Sequence, residues 1–337
     1  MEHKFDLEDI TIVPAELSNI KSRSEINIDN LPLIAAPMDS VIDKHSMLIF
    51  THHKILTCSI RTEVLNLDQP FYTCIGVSLQ QFEYILHSTE SLKTLRKNQG
   101  LLIDIANGHM KHLFDLVKLF KSMFPTVPLM VGNIANPETY KNYCEILNEN
   151  DYIRLSIGSG SACLTGANLG VYYPMGSLID ECYQISATFN SAPKIVADGG
   201  FRNYDDIIKA LNLGADFVML GGIFAKTLDA CGDVYFKGFN VTNCKYTLFK
   251  YGFKLYRKYR GMSTKEVQRS VGKSILKTSE GISFKTPVLY TLESWTNNFI
   301  DYLKSAMSYS NTLSLKEFIG KRNFIQITPN AIKRYKK

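Results

Sequence analysis

Long apolar runs are missing from this chain of 337 residues. No stretch approaches the roughly 20 consecutive apolar residues that a bilayer-spanning helix needs. The opening MEHKFDLEDI carries acids where a secretory leader would be apolar. Cysteines number seven, an odd count, and no Cys-x-x-Cys pair occurs. That argues against a disulfide scaffold and against a zinc knuckle. Charge of one sign is in small excess only, 38 basic against 32 acidic residues for a net +6. The basic stretches at 245–260 and at Lys333, Arg334, Lys336 and Lys337 do not gather into one arm. No specific nucleic-acid partner is therefore expected, whereas anionic small substrates suit the balance. Histidine stops at His112, so no histidine from the second half can serve a nucleophile there. Neither low-complexity segments nor repeats beyond short strand–helix units occur. What remains is 45% hydrophobic and 21% charged, the balance of a globular protein. A reduced, cytoplasmic protein with no membrane partner is the expectation.

Eight short apolar runs are present, at 31–36, 55–60, 72–77, 101–105, 127–131, 151–157, 194–197 and 215–220. None alternates cleanly, as befits strands buried on both faces. Helical spacing fills several gaps, with helices predicted at 109–124, 137–148 and 205–213, the last stopped by Gly214. Strand–helix alternation of this kind gives right-handed βαβ units and a parallel sheet. Eight units predict an α/β fold, a (β/α)8 TIM barrel; an open doubly wound sheet is the alternative. The expected organisation is one barrel with an N-terminal extension at about 1–30 and a large active-site flap, part hairpin, at about 231–287. A helix and tail at about 291–337 follow, with a short edge strand at 323–328.

Ligand sites in such folds lie beyond the carboxyl ends of the strands, and polar or glycine-rich clusters follow the runs directly. In GSGSACLTG, residues 158–166, small residues surround Cys163. The loop can cradle a phosphate through Ser161, set a thiol against a flat ring, or offer carbonyls at Gly158 and Gly160 to a monovalent cation. Cys163 is thus either a nucleophile or a buried, inert cysteine in a tight turn; the other six cysteines read as inert. Thr165 lies close enough to relay a proton. In DGGFR, Asp198 can accept from ribose hydroxyls, and Gly199 and Gly200 permit close approach of a phosphate. Gly221 and Gly222 open a short helix-like start, and two glycine pairs in successive late loops suit a phosphate. Asp104 and Asn107 end the fourth run, where Asn107–Gly108 also reads as a plain turn. His52 and His53 beside Lys54 are adjacent histidines; on a strand they point opposite ways and make a poor metal pair. Glu280 reads as a solvated loop acid unless the flap closes over the barrel mouth.

Taken together, KSRSEI at 21–26, APMDS, DIANGH, GSGSACLTGANLGVYYP, ADGGFR, GADFVMLGGIFA, YRGMST and SEG at 279–281 give a recognisable likeness. The chain resembles the reductase branch of the inosine monophosphate dehydrogenase/guanosine monophosphate reductase family, collinearly over nearly its whole length. The resemblance implies a (β/α)8 barrel that assembles as a homotetramer. It implies conversion of guanosine monophosphate (GMP) and NADPH to inosine monophosphate (IMP), ammonia and NADP. Cys163 would attack C2 of the purine, and Thr165 and Glu280 would assist departure of ammonia from a covalent thioimidate. Ser161, Asp198, Gly200, Gly221 and Gly222 would hold the ribose phosphate. Gly261, Met262, Ser263, Ser279 and Gly281 would hold the base. Asp104, Asn107 and Gly108 would face the cofactor, with Lys54 and Lys277 nearby, and K+ would sit among Gly158, Gly160 and Cys163.

Two features favour reductase over dehydrogenase within that likeness. There is no room between the early strands for the CBS pair of regulatory domains. The dehydrogenase flap's Arg-Tyr pair, which activates water, is replaced by Arg269–Ser270. Departures from the reductase pattern are Ser159, Leu164, Met175 and the Leu276-Lys277-Thr278 stretch. Lys277 keeps a positive charge without the planar fork of an arginine. Oxidation of IMP with NAD is the alternative activity, and a catalytically silent nucleotide-binding scaffold the alternative from another class.

Overall fold

The computed structural model of the chain describes residues 3–62, 64–69, 72–97, 99–270 and 278–335. Two short strands tie its ends together: β1 (Ile10–Ile12) pairs antiparallel with β14 (Phe324–Gln326). Between them lie the eight parallel strands β2 (Leu33–Ala35), β3 (Leu56–Thr57), β4 (Cys74–Val77), β5 (Gly100–Asp104), β6 (Leu129–Ile134), β7 (Tyr152–Leu155), β8 (Lys194–Asp198) and β9 (Phe217–Leu220). They are ordered β3-β2-β9-β8-β7-β6-β5-β4. The two end strands meet through a parallel bridge between Cys58 and Cys74, supported by Thr73 N–H to Thr57 O at 2.8 Å and Ser59 N–H to Cys74 O at 2.9 Å. The result is a near-closed eight-stranded parallel barrel. Each strand falls within one residue of an expected run or inside it, except β6, which continues to Ile134 and so carries Asn133 to the rim.

Both faces of each strand are buried, which is why alternation was weak in the sequence. Ile34, Cys58, Cys74, Leu102, Met130, Val196 and Met219 fill the barrel interior. Their neighbours Leu33, Ala35, Ile75, Leu101, Ile103 and Val131 turn outward into a larger core under the helices. The expected helices are observed as Lys111–Met123, Pro137–Cys144 and Tyr204–Leu213, the last with an Asn203/Asp206 capping box and Gly214 as its stop. Helix Leu292–Tyr309 returns along the wall, stacking Trp295 on Phe299. No helix among the described residues is long and apolar enough to cross a membrane. One expectation fails: His52 and His53 are not on a strand. His52 ends helix Ser46–His52 and His53 caps it, because Asp43 accepts from Ser46 N–H at 2.7 Å and starts a helix there.

After β9 the chain leaves the barrel and builds an antiparallel sheet. Its strands are β10 (Val234–Phe236), β11 (Phe239–Asn240), β12 (Leu255–Arg260) and β13 (Ser283–Val288), in the order β11-β10-β12-β13. Arg257 of β12 seats it. This fully buried guanidinium donates to the carbonyls of Ala225, Thr227 and Ala230 at 2.7, 2.6 and 2.8 Å, just beyond β9.

The opposite, N-terminal end of the barrel is held by a buried ion pair. Lys121 Nζ donates to Asp151 Oδ1 at 2.9 Å, and the two side chains are 6% and 0% exposed. Asp151 also accepts from the amides of Leu129 and Asn148. Asp151→Ala leaves a buried ammonium and two amides without that carboxylate. The expected loss is about 3–5 kcal/mol of stability, read as a lower urea midpoint at unchanged slope.

Candidate active site

The carboxyl ends of the strands surround a cavity of about 310 Å³, within the range of small-molecule sites. Its floor is electrostatic. Arg154 of β7 reaches sideways in both directions and is 6% exposed. Nη1 donates to Asp104 Oδ1 at 2.9 Å, and Nη2 and Nε donate to Asp198 Oδ2 at 2.8 and 3.2 Å. Asn133 of β6 donates to the same Asp198 oxygen at 2.8 Å, and Arg61 donates to the Asp104 carbonyl at 2.7 Å. Burial alone would raise the Asp104 carboxyl, but Arg154 and Arg61 outweigh it and hold the group below the usual carboxylate range.

The cysteine loop follows β7. Cys163 N–H closes a turn onto Gly160 O at 2.8 Å, and the helix Thr165–Leu169 begins two residues later. Cys163 is half-buried, in contrast to Cys58, Cys74, Cys144, Cys182 and Cys231, which are buried. Burial pushes the Cys144 thiol up to about 11 and that of Cys231 up to about 12, which keeps them protonated. The Cys163 thiol donates to Thr165 Oγ1 at 3.2 Å, and the Thr165 hydroxyl donates onward to Glu280 Oε2 at 3.2 Å.

Glu280 arrives from the excursion by backbone pairing. Leu164 N–H donates to Glu280 O at 2.8 Å, Ile282 N–H to Ala162 O at 3.0 Å, and Gly261 N–H to Ile282 O at 3.1 Å. Cys163 and Gly281 form an antiparallel bridge. Three strands of chain thus meet edge to edge at the thiol. Gly261 is required by this approach, since a Cβ there would lie 2.8 Å from Ala162 O. Met262 and Ser263 follow it into the cavity wall.

The opposite corner gathers Ser161, Gly199, Gly200, Gly221 and Gly222. Gly199 and Gly200 have φ of +83° and +84°, a backbone that L side chains rarely adopt. Tyr259, from β12, closes this corner with its hydroxyl donating to Met38 Sδ at 3.5 Å. Burial pushes that hydroxyl up to about 12 against the pull of its hydrogen bond with Ser161, so it stays protonated at neutral pH.

Not every expected residue comes to the cavity. Lys54 precedes β3, so it sits at the barrel's opposite end, where Nζ donates to Asp29 O at 2.9 Å. Asn107 is an exposed turn residue whose Oδ1 accepts from His109 N–H at 3.0 Å; Gly108 N–H donates to Asn133 O at 2.8 Å. Ser279 bonds locally to Gly281 O at 2.7 Å, and Glu280 stands behind Thr165 rather than in the wall. Lys277 lies outside the described residues. His109 does not serve Cys163: Nε2 accepts from Ala135 N–H at 3.0 Å, Nδ1 bonds Thr139 Oγ1 at 2.8 Å, and burial lowers its pKa. Among the described residues no group of three or more His, Cys, Asp or Glu could hold a metal ion.

The sequence reading gave no role to the wall residues Arg61, Arg154 and Tyr259, and it saw Asn133 only as part of the Gly132–Asn133 pair that follows the fifth run. The signal for Arg154 was its own oddity, a lone cation in a strand buried on both faces, which demands carboxylates at the same depth.

A parallel barrel with a thiol and strand-end acids around one mouth defines the class. Residues 73–336 match the model of the IMP dehydrogenase / GMP reductase domain, and the chain belongs to that family of enzymes. It is 27% identical over 348 residues to GMP reductase 1 of Homo sapiens, covering 96% of this chain and 95% of that protein. It is 29% identical over 354 residues to the GMP reductase of Buchnera aphidicola subsp. Acyrthosiphon pisum (strain Tuc7), with the same coverage. Identity to the GMP reductase of Onchocerca volvulus is 28% over 361 residues, covering 99% and 94%.

Proposed function

We propose that the chain catalyses NADPH-dependent reductive deamination of GMP to IMP and ammonia through a covalent bond between Cys163 and purine C2. The observation that carries this reading is the unbroken hydrogen-bonded chain from Cys163 Sγ through Thr165 Oγ1 to Glu280 Oε2. A nucleophilic thiol must lose a proton, and an amine must gain one to leave. The relay does both. The thiol proton passes to Thr165 as the threonine proton passes to Glu280. Sγ then bonds to C2, the C2–N2 bond breaks, and the proton returns through Thr165 to the departing ammonia. Addition at C2 of a hydride, the chemistry a bound nicotinamide supplies, and breakage of the C–S bond give IMP and restore the thiolate. The net balance is GMP, NADPH and two protons to IMP, NADP and ammonium.

The residues present fit both ligands. Asp198 Oδ2 is saturated by Arg154 and Asn133, which leaves Oδ1 to accept from a ribose diol. The amides around Gly200, Gly221 and Gly222, with Ser161 and Tyr259, suit a dianionic phosphate. Met262 lines the plane in which a base would lie against Cys163. Asp104, at the far side of Arg154, suits the carboxamide donors of a nicotinamide. Carbonyls of Gly158, Gly160 and Cys163 on the tight cysteine turn would take K+. A homotetramer in the cytoplasm completes the reading, on the strength of the family resemblance.

The test is direct. With GMP and NADPH the protein is expected to consume NADPH absorbance and release one ammonia per NADPH. Formation of xanthosine monophosphate from IMP and NAD, with no reaction of GMP, would overturn the reading in favour of a dehydrogenase.

A further inference from the structure

Four consecutive strands each send one polar side chain into a single chain of contacts across the cavity floor: Asp104 from β5, Asn133 from β6, Arg154 from β7 and Asp198 from β8. Arg154 is its centre, and its two ends do different things. The Nε–Nη2 edge grips one oxygen of Asp198 twice, while Nη1 alone holds Asp104. Both acids line the cavity, each on its own side of the guanidinium. The planar fork therefore fixes the orientation of two carboxylates at once, and neither can turn without moving the cation that holds the other.

We propose that Arg154 is a positioning residue that links the nucleotide subsite to the dinucleotide subsite, so that filling one strengthens binding at the other. The inference rests on the functional reading above, in which Asp198 takes the nucleotide ribose and Asp104 the nicotinamide carboxamide. The physical route is ordering. A ribose diol bonded to Asp198 Oδ1 immobilises that carboxylate and, through Oδ2, the guanidinium. Asp104 is then already held in its accepting orientation when the second ligand arrives, and less conformational freedom remains to be lost. Linkage makes the effect reciprocal, with the same factor in both directions. Arg61 donates to the Asp104 backbone carbonyl at 2.7 Å and faces Asp104 Oδ2 at 3.7 Å, so that Arg154 Nη1 supplies the shorter, hydrogen-bonded contact to the carboxylate, at 2.9 Å to Oδ1.

The experiment measures binding, not turnover, in a Cys163→Ala background that serves as the parent here, where IMP and the oxidised dinucleotide NADP cannot react to the covalent adduct, each titrated alone and in the presence of the other. In the parent, IMP is expected to tighten NADP about 5- to 150-fold, the usual span of coupling between sites. Arg154→Lys keeps the charge but replaces the two-sided fork by a point donor. It is expected to bring the coupling factor to within about twofold of one, while each ligand alone binds within about tenfold of the parent. A merely structural role would weaken both ligands and leave their coupling untouched. Full parental coupling in a folded Arg154→Lys protein overturns the proposal. Should that variant not fold, Asp104→Asn carries the test, since an amide there weakens the ionic link at unchanged volume, and parental coupling in it overturns the proposal equally. Failure of the parent to bind either ligand sinks the functional reading itself, a different result from two ligands that bind independently.

Discussion

Cys163→Ala is expected to lower GMP-dependent NADPH consumption by about four powers of ten or more. At 1.36 kcal/mol per decade that is about 5.4 kcal/mol of lost transition-state stabilisation. The size follows from the kind of contribution removed. A covalent nucleophile divides one difficult displacement into two easier ones, and no neighbouring group can take its place. Cys58, Cys74, Cys144, Cys182 and Cys231 are buried, Cys244 lies on the excursion away from the cavity wall, and His109 is engaged with Ala135 and Thr139. Binding of GMP is expected to change by no more than a few fold. The proposed phosphate and ribose contacts, at Ser161, Gly200, Gly222 and Asp198, lie on other side chains and on backbone. Loss of turnover at nearly constant affinity is the pattern of an interaction made in the transition state and not in the ground state. Turnover within tenfold of the parent would remove the thiol from the reaction. An alkylating reagent gives an independent check: it should modify the half-buried Cys163 at a rate that GMP slows.

How much of this site could be read from the chain depended on whether its parts are local. The eight strands were readable because a run buried on both faces is apolar without interruption, and the turn glycines and strand-end acids follow such runs directly. Cys163 and Thr165 were readable as one short motif, and Asp198 and Asp104 as acids placed where two strands stop. Helix Ser46–His52 was not, because it is only seven residues long, its apolar residues Met47 to Phe50 run consecutively without helical periodicity, and the Asp43 carboxylate that accepts from Ser46 N–H lies outside it. That error placed His52 and His53 on a strand. Lys54 illustrates a different limit. Its sequence position just before a strand puts it at the barrel end opposite Cys163, which motif likeness alone does not register.

Arg154 and Glu280 show what pattern reading misses in physical terms. Arg154 owes its place to two carboxylates that are 50 and 44 residues away in sequence and that only barrel closure sets at bonding distance. Glu280 is 115 residues from Thr165. Nothing in the composition of the TSEGIS segment distinguishes it from a solvated loop, and it reaches the thiol only because Ala162 and Leu164 supply an exposed backbone edge to which residues 280–282 pair. Arg257 fixes the frame for that pairing, since it binds the strand leading to Gly261 onto the carbonyls that follow β9. A site assembled by edge-to-edge backbone contact leaves little trace in side-chain pattern.

That dependence makes Glu280→Gln the sharper of the two experiments. Glutamine has the same shape, and its side-chain oxygen can still accept the Thr165 hydroxyl, so the local structure and the Leu164–Glu280 backbone pairing are expected to persist. What is lost is the capacity to take and return a proton. General acid–base contributions of this kind are typically worth 10²- to 10⁴-fold, so kcat with GMP should fall by about that range with little change in GMP affinity. The loss should be largest in the half-reaction that breaks the C2–N2 bond, which uses the relay twice, to take the thiol proton and to return it to ammonia. In single-turnover experiments, ammonia release from GMP should slow by the full factor, whereas reaction in the reverse sense from IMP and NADP to the Cys163 adduct uses the relay only to take the thiol proton and should slow less. Thr165→Val should act in the same direction. Combining it with Glu280→Gln should cost scarcely more than either change alone, because one broken link already interrupts the relay. Additive effects of the two substitutions would mean that Thr165 and Glu280 do not work as a single proton path.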